Sequence, residues 1–211
     1  MKKYLLVIIP LLFIGCSTSE LVNMAVAKRN VENYYENGQY ELEMKAIIDY
    51  TIKKLSTADL GENPLAIFDI DETALSNYEH TKELGFGFNW KLWQDWLLKA
   101  DAPAITETKR LYDWCLRNGV KVAFITGRQP DVYDATVKNL KEQGFTEFEK
   151  LITRSERTSK MSAIIFKNYE RGILADQGYN IVLCIGDQWS DLEGDNLGLP
   201  VKLPNYLYQI D

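Results

Sequence analysis

The run Asp69-Ile70-Asp71-Glu72-Thr73 follows the apolar residues Ala66, Ile67 and Phe68, so an extended segment ends in two carboxylates one residue apart and then a hydroxyl. Residues two apart on a strand point the same way, which brings Asp69 and Asp71 into one small volume where the chain leaves a sheet. Two like charges held that close repel, and a divalent cation is the usual remedy. One carboxylate can then attack phosphorus while the other handles protons. Taken alone, the pair fits equally well an acidic strand end that only caps the following turn. Its meaning therefore depends on what else the chain brings to the same place. Two more polar clusters follow apolar runs: Thr126-Gly127-Arg128, and Gly186-Asp187-Gln188-Trp189-Ser190-Asp191.

The elements that must position these clusters are legible in the pattern. Residues 65–69, 120–125, 148–152 and 180–185 read as short buried strands, with a fifth at 201–203. Helical spacing covers 103–117, 131–143 and 167–177, closed by Asn118-Gly119, Gly144 and Gly178. Upstream, 20–36 and 40–55 also have helical spacing, the second with Tyr40, Met44, Ile47, Thr51 and Leu55 along one face. This alternation predicts a Rossmann-like α/β fold, a doubly wound parallel sheet with helices on both faces. In such sheets ligands bind outside the carboxyl ends of the strands, where all three polar clusters fall. Between the first strand and the helix at 103 lies an aromatic-rich segment, 75–99, expected to form a small helical cap over about 75–103. Its stripe of Trp90, Trp93, Trp96 and Leu97 has helical spacing and reads mainly as cap core. Phe88 and Trp90 at its start are placed for a base or phenyl ring to stack on. The expected division is a leader at 1–15, an N-terminal helical segment at 16–60 and a catalytic domain at 61–211.

Composition narrows the chemistry. With 211 residues, 46% apolar, the chain can bury a real core, and its net charge of −6 offers no basic stripe for nucleic acid. There is one histidine, His80, which excludes multi-histidine metal sites and leaves His80 as an expected surface or cap residue. The residues six places after each cysteine are Val22, Lys121 and Ser190, so no cysteine nucleophile has the arginine it needs. No G-x-x-x-x-G-K-[ST] loop occurs. The start, Met1-Lys2-Lys3 followed by apolar residues 4–14 and Gly15-Cys16, reads as a secretory signal. Phe13-Ile14-Gly15-Cys16 resembles a bacterial lipobox, with Phe13 where Leu is commoner. Cleavage there leaves Cys16 lipidated and the protein anchored to a membrane of the bacterial cell envelope; the rival is a secreted form without lipid. Cys115 and Cys184 lie in apolar surroundings and are expected to be buried free thiols.

The ordered set Asp69 to Thr73, Ile125-Thr126-Gly127-Arg128, a lysine before the fourth strand, and Gly186 to Asp191 resembles the haloacid dehalogenase superfamily of phosphotransferases. Within it, Phe166-Lys167-Asn168-Tyr169-Glu170-Arg171, Gln177-Gly178-Tyr179 and Gly186 to Leu192 are similar to the acid phosphatase subfamily of bacterial lipoprotein acid phosphatases and plant vegetative storage proteins. The resemblance implies a Mg²⁺-dependent hydrolase of small phosphomonoesters, with 5′-nucleotides as candidate substrates. Asp69 is then the nucleophile that forms an aspartyl phosphate, and Asp71 the general acid and later base, giving only its backbone carbonyl to the metal. Thr126 matches the hydroxyl that donates to the phosphoryl group. Lys167, with Lys160 as rival, matches the lysine that stabilises the nucleophile and the transition state. Asp187 and Asp191 match the remaining metal-binding acids. Thr73, Gly127, Arg128 and Trp90 are the substrate-contact candidates, Arg128 either touching substrate or pairing with a nearby acid. The same likeness admits a second reading, a storage or binding protein with little turnover on the same fold.

Overall fold

Five strands form one sheet, and every neighbouring pair is parallel. The computed structural model describes residues 22–210, so the leader and the lipidation candidate Cys16 lie outside the described residues. In chain order the strands are β1 (Pro64–Phe68), β2 (Lys121–Ile125), β3 (Lys150–Ile152), β4 (Asn180–Gly186) and β5 (Leu199–Lys202). They lie in the order β3-β2-β1-β4-β5, so β1 is central and the order reverses beside it. Parallel strands need crossovers. Most are supplied by α5 (Thr106–Arg117), α6 (Tyr133–Glu142) and α7 (Ala163–Asp176), while α1 (Met24–Glu36) and α2 (Gln39–Leu55) precede the sheet. Pro200 sits in β5, at the sheet edge, where a missing N–H costs no ladder bond.

The strands read as unbroken apolar runs because both faces are covered. Ala66 and Phe68 of β1, with Phe124 of β2 and Ile185 of β4, pack on one face against Met44, Ile48, Leu111, Tyr112 and Leu140 of α2, α5 and α6. Leu65 and Ile67 point the other way and meet Phe166 and Leu174 of α7. This alternation fixes the register of β1 and with it the direction of Asp69, the next residue. The ladder runs one residue past two strands: Asp69 N–H donates to Ile185 O at 3.0 Å and Thr126 N–H to Ile152 O at 2.9 Å. Residues named for their chemistry are thus held by the last hydrogen bonds of the sheet.

Two helices, α3 (Tyr78–Glu83) and α4 (Trp90–Lys99), make up the segment after β1. The expected helix start at 103 moves to Thr106, because residues 103–105 are held against the chain leaving β1. Ser76 N–H donates to Pro103 O and Ile105 N–H to Ala74 O, each at 2.9 Å. Conversely α7 begins a turn earlier than position 167, with the Ser162 hydroxyl accepting from Ile165 N–H as its N-cap. The apolar run Ala163 to Phe166 hid that start.

Gly198, just before β5, has φ +60°, and a Cβ there would lie 2.3 Å from the Val182 carbonyl carbon. Both backbone freedom and the missing side chain are used, so Gly198→Ala is expected to lower stability by about 2 kcal/mol or more. A urea titration reads this directly, and an unchanged midpoint would contradict so close a packing of β5 on β4.

Candidate active site

Asp69 continues β1, and it is buried along with the groups it faces. Lys167, on the second turn of α7, donates from Nζ to Asp69 Oδ1 at 2.6 Å and also to Asp191 Oδ1. Lys160, the rival lysine, is exposed on the loop before α7. Asp187 follows β4 directly and Asp191 ends the short 3₁₀ turn Trp189–Asp191. One oxygen from each of Asp69, Asp187 and Asp191 lies within 4.8 Å of the others. Asp71 stands apart from this trio. Its carboxylate is gripped by Arg128, which donates from Nη2 to Oδ1 at 2.7 Å and from Nε to Oδ2 at 3.1 Å.

Local sequence explains how Asp191 comes to point inward. Its Oδ2 accepts from Gln188 N–H at 2.9 Å in a reciprocal capping turn. Gly186 leaves the room: a Cβ there would sit 2.1 Å from Asp191 Oδ2. Behind the turn, the guanidinium of Arg171 is fully buried and donates to the carbonyls of Asp191, Glu193 and Asp195. Asp187 is steadied by Asn205 and Gln188, each at 2.6 Å to Oδ2, and by the Thr73 hydroxyl at 3.2 Å to Oδ1.

The electrostatics favour a divalent cation. Three buried carboxylates face one buried ammonium, which leaves two negative charges uncompensated when all are ionised. Desolvation, opposed by Lys167 and reinforced by Asp191 and Asp187, holds the Asp69 carboxyl well above the ordinary range. Desolvation and Asp191 push Asp187 up to about 6. Burial works against the charge on Lys167, yet Asp191 and Asp69 outweigh it and hold the ammonium above its usual range. Hard oxygen donors with excess charge and no sulfur or imidazole among them suit Mg²⁺ or a similar ion, and Asp69, Asp187 and Asp191 would hold it.

Above this floor opens a cavity of about 550 Å³, walled by Asp69, Asp71, Gly127 and Arg128 below and by Trp90 and Trp93 of α4 above. The segment at 203–210 closes one side. Tyr208 donates from its hydroxyl to Glu72 Oε2 at 2.5 Å, and Ile210 N–H donates to Gln188 Oε1 at 3.0 Å. Glu72 is buried in the left-handed region at φ 54°. Its carboxyl is pushed up to about 8 by desolvation and by Asp71 and Asp187, against the donors Tyr208 and Asn77.

The candidates read from sequence fare unevenly. Asp69, Lys167, Asp187 and Asp191 meet at one point, with Asp71 and Arg128 at the cavity wall. Arg128 pairs with Asp71 and also lines the cavity. Thr73 is wholly buried and turned toward Asp187, outside the cavity lining, so its hydroxyl supports an acid and does not face a substrate. Thr126 is also fully buried, and its Oγ1 accepts from Arg128 N–H at 3.2 Å behind the wall. Trp90 is 55% exposed at the cavity mouth, Trp93 and Leu97 also line the cavity, and Trp96 packs against the core, so the stripe divides between core and wall. His80 lies in the cap, one of the two places expected for it, and it is buried there and not at the surface: 9% exposed, beside the cavity, and stacked on Trp96 with centroids 5.1 Å apart.

Asn77, Arg154 and the 203–210 segment were not anticipated. Arg154 lines the cavity with its guanidinium 4.4 Å over the Phe166 ring, and Nη1 donates to Thr158 O and Met161 O at 2.8 Å. A lone arginine in a polar loop carries no sequence signal of that placement.

The family model described as HAD superfamily, subfamily IIIB (Acid phosphatase) matches residues 14–211. Stem 31 kDa glycoprotein of Glycine max is 37% identical over 185 residues, covering 85% of this chain and 73% of that protein. Acid phosphatase 1 of Solanum lycopersicum is 33% identical over 186 residues, again 85% of this chain and 73% of the relative. Among solved structures, the class C acid phosphatase from Bacillus anthracis superposes with a TM-score of 0.72 at 24% identity, covering 88% of this chain and 85% of that one, a likeness of fold.

Asp69 and Asp187 prefer their neutral forms when folded, since both are raised above the 3.8 of an ordinary carboxyl. The metal-free folded protein therefore holds more protons than the unfolded chain between about pH 4 and 6, and loses stability as pH rises through that window. A bound cation needs both carboxylates ionised, so its stabilisation grows over the same window. Thermal melts with excess Mg²⁺ should show an increase of roughly 5 °C or more at pH 7 and a smaller one at pH 5. An equal shift at both values would refute the assigned charges.

Proposed function

The chain belongs to the subfamily IIIB acid phosphatases of the HAD superfamily, phosphomonoester hydrolases that use a divalent metal, and we propose that it works through an aspartyl phosphate on Asp69 with Mg²⁺ as the ion. The observation that carries this reading is the buried trio of Asp69, Asp187 and Asp191 with Lys167 among them, on the floor of a cavity walled by Asp71. When bound, the ion would offset the charge of nucleophile and phosphate, so that one anion can approach another.

The protein's own groups do the rest. Asp69 forms a bond to phosphorus while the ester P–O bond breaks, its electron pair passing to the departing oxygen. Asp71 gives that oxygen a proton and afterwards takes one from the water that opens the aspartyl phosphate. Lys167 keeps its charge at any working pH, fixes Asp69 Oδ1 and stabilises the charge developing on the phosphoryl group. The backbone at Gly127, on the cavity wall, holds the phosphoryl oxygens, and the Thr126 hydroxyl braces that turn from behind through Arg128 N–H. Arg128 keeps the Asp71 carboxylate turned toward the cavity. The apolar wall of Trp90 and Trp93 suits esters with a flat leaving group, and 5′-nucleotides are the favoured class.

The N-terminal residues complete the reading: cleavage before Cys16 and acylation there would hold the enzyme on a membrane of the bacterial envelope. No described helix is long and apolar enough to cross a membrane.

Protein lacking residues 1–16 should hydrolyse an aryl phosphate with Mg²⁺, lose activity in EDTA, and lose roughly a thousandfold or more in Asp69→Asn. Equal rates in all three would defeat the covalent reading and favour a storage protein of the same fold. Mass spectrometry of rapidly quenched enzyme reads the phosphoryl adduct on Asp69 directly.

A further inference from the structure

We propose that Asn77 is the positioning residue for Asp71, a buried amide that fixes which carboxylate oxygen faces the leaving group and ties it to the cap through Trp96. This rests on Asp71 being the proton donor, as assigned above.

Asn77 stands just before α3, at the N-cap, a position where asparagine normally accepts from the helix's own N–H groups. It makes no such bond. Its side chain is wholly buried and used elsewhere. Oδ1 accepts from Trp96 Nε1 at 2.7 Å. An indole nitrogen can only donate, so the amide has a single orientation, with Nδ2 toward the acids. Nδ2 donates to Asp71 Oδ1 at 2.9 Å and to Glu72 Oε2 at 3.2 Å. The Asn77 N–H also donates to Glu72 Oε1 at 2.6 Å, so backbone and side chain grip neighbouring acids together. Every polar atom of this residue that faces inward is occupied, which is what a fixed buried network requires.

The consequence falls on the two oxygens of Asp71. Oδ1 accepts from Asn77 Nδ2, from Arg128 Nη2 at 2.7 Å and from Arg128 Nε at 3.3 Å. Oδ2 has the Arg128 Nε contact at 3.1 Å. Oδ1 is thus the anchored oxygen, and Oδ2 the one that carries the proton to the ester oxygen as the P–O bond breaks. Trp96 lies on α4, the helix that also supplies Trp90 and Trp93 to the cavity wall. One amide therefore joins the element that touches the leaving group to the carboxyl group that protonates it.

Proton donation matters when the leaving group is a poor one, and little when it departs as a stable anion. The test compares kcat/KM of the Mg²⁺-loaded enzyme on ethyl phosphate, phenyl phosphate and 2,4-dinitrophenyl phosphate, for the unaltered protein and for Asp71→Asn, Asn77→Ala and Trp96→Phe. Asn77→Ala should lose about tenfold or more on the first two and less than twofold on the dinitrophenyl ester, a modest share of what general acid catalysis supplies. Trp96→Phe keeps the ring stacked beside His80 and removes only the N–H, so it gives a folded variant with the same ordering of losses, about threefold on ethyl phosphate. Equal losses on all three esters would make Asn77 merely structural and overturn the inference. So would rates in Trp96→Phe that match the unaltered protein throughout. Asp71→Asn separates the two levels. If its loss is uniform across the esters, the assignment of Asp71 as acid has failed; if its loss is selective and that of Asn77→Ala is not, only the role of Asn77 has failed.

Discussion

An excess of buried negative charge at the carboxyl end of a parallel sheet is the constraint on which the rest depends. Asp69, Asp187 and Asp191 converge there because β1 and β4 are adjacent and end level with one another. Such a cluster is unfavourable unless something compensates it. Lys167 supplies part of the compensation from α7, but the remainder calls for a cation. Much nearby structure follows from keeping the cluster together: Gly186 makes room for Asp191, Arg171 collects the carbonyls behind its turn, and Asn205 and Thr73 steady Asp187.

The assembly around the proposed proton donor is built differently. Asp71 lies outside the trio of buried acids and is held from two sides, by Arg128 from the turn after β2 and by Asn77 from the start of the cap. Asp69 and Asp71 are two residues apart in sequence yet answer to separate partners. The chain turns sharply just past Asp71, with Glu72 in the left-handed region. Strain of this kind, about 1 kcal/mol or somewhat more, persists only where surrounding contacts over-determine it. Tyr208 and Asn77 on the Glu72 carboxylate are those contacts.

The parts legible in the sequence were those with a period or a short motif. Apolar runs ending in acids at Asp69 and Asp187 gave the strands, their order of use and the crevice, since a sheet covered on both faces leaves an unmistakable pattern. Of the two lysines the resemblance admits, Lys167 is the one found beside Asp69. Partners joined across the fold were not legible. Nothing around Asn77 marks it as the acceptor of an indole N–H from nineteen residues on, and nothing around Asn205 or Tyr208 marks them as neighbours of Asp187 and Glu72. His80 could be placed only as a surface or cap residue, because a single polar residue in a short helix has no periodicity to fix which side it faces. Thr73 was a substrate-contact candidate, and the left-handed turn at Glu72 just before it directs its hydroxyl to Asp187 instead.

The two cysteines among the described residues carry a consequence of their own. Cys115 packs with α5 on one face of the sheet and Cys184 with α7 on the other, both unpaired, with the sheet between them. Burial pushes each thiol up to about 12, so reactive thiolate is scarce at neutral pH. Among the described residues, oxidants and glutathione find no exposed thiol to act upon. The sheet and the helices packed on it are therefore indifferent to the redox poise of their surroundings.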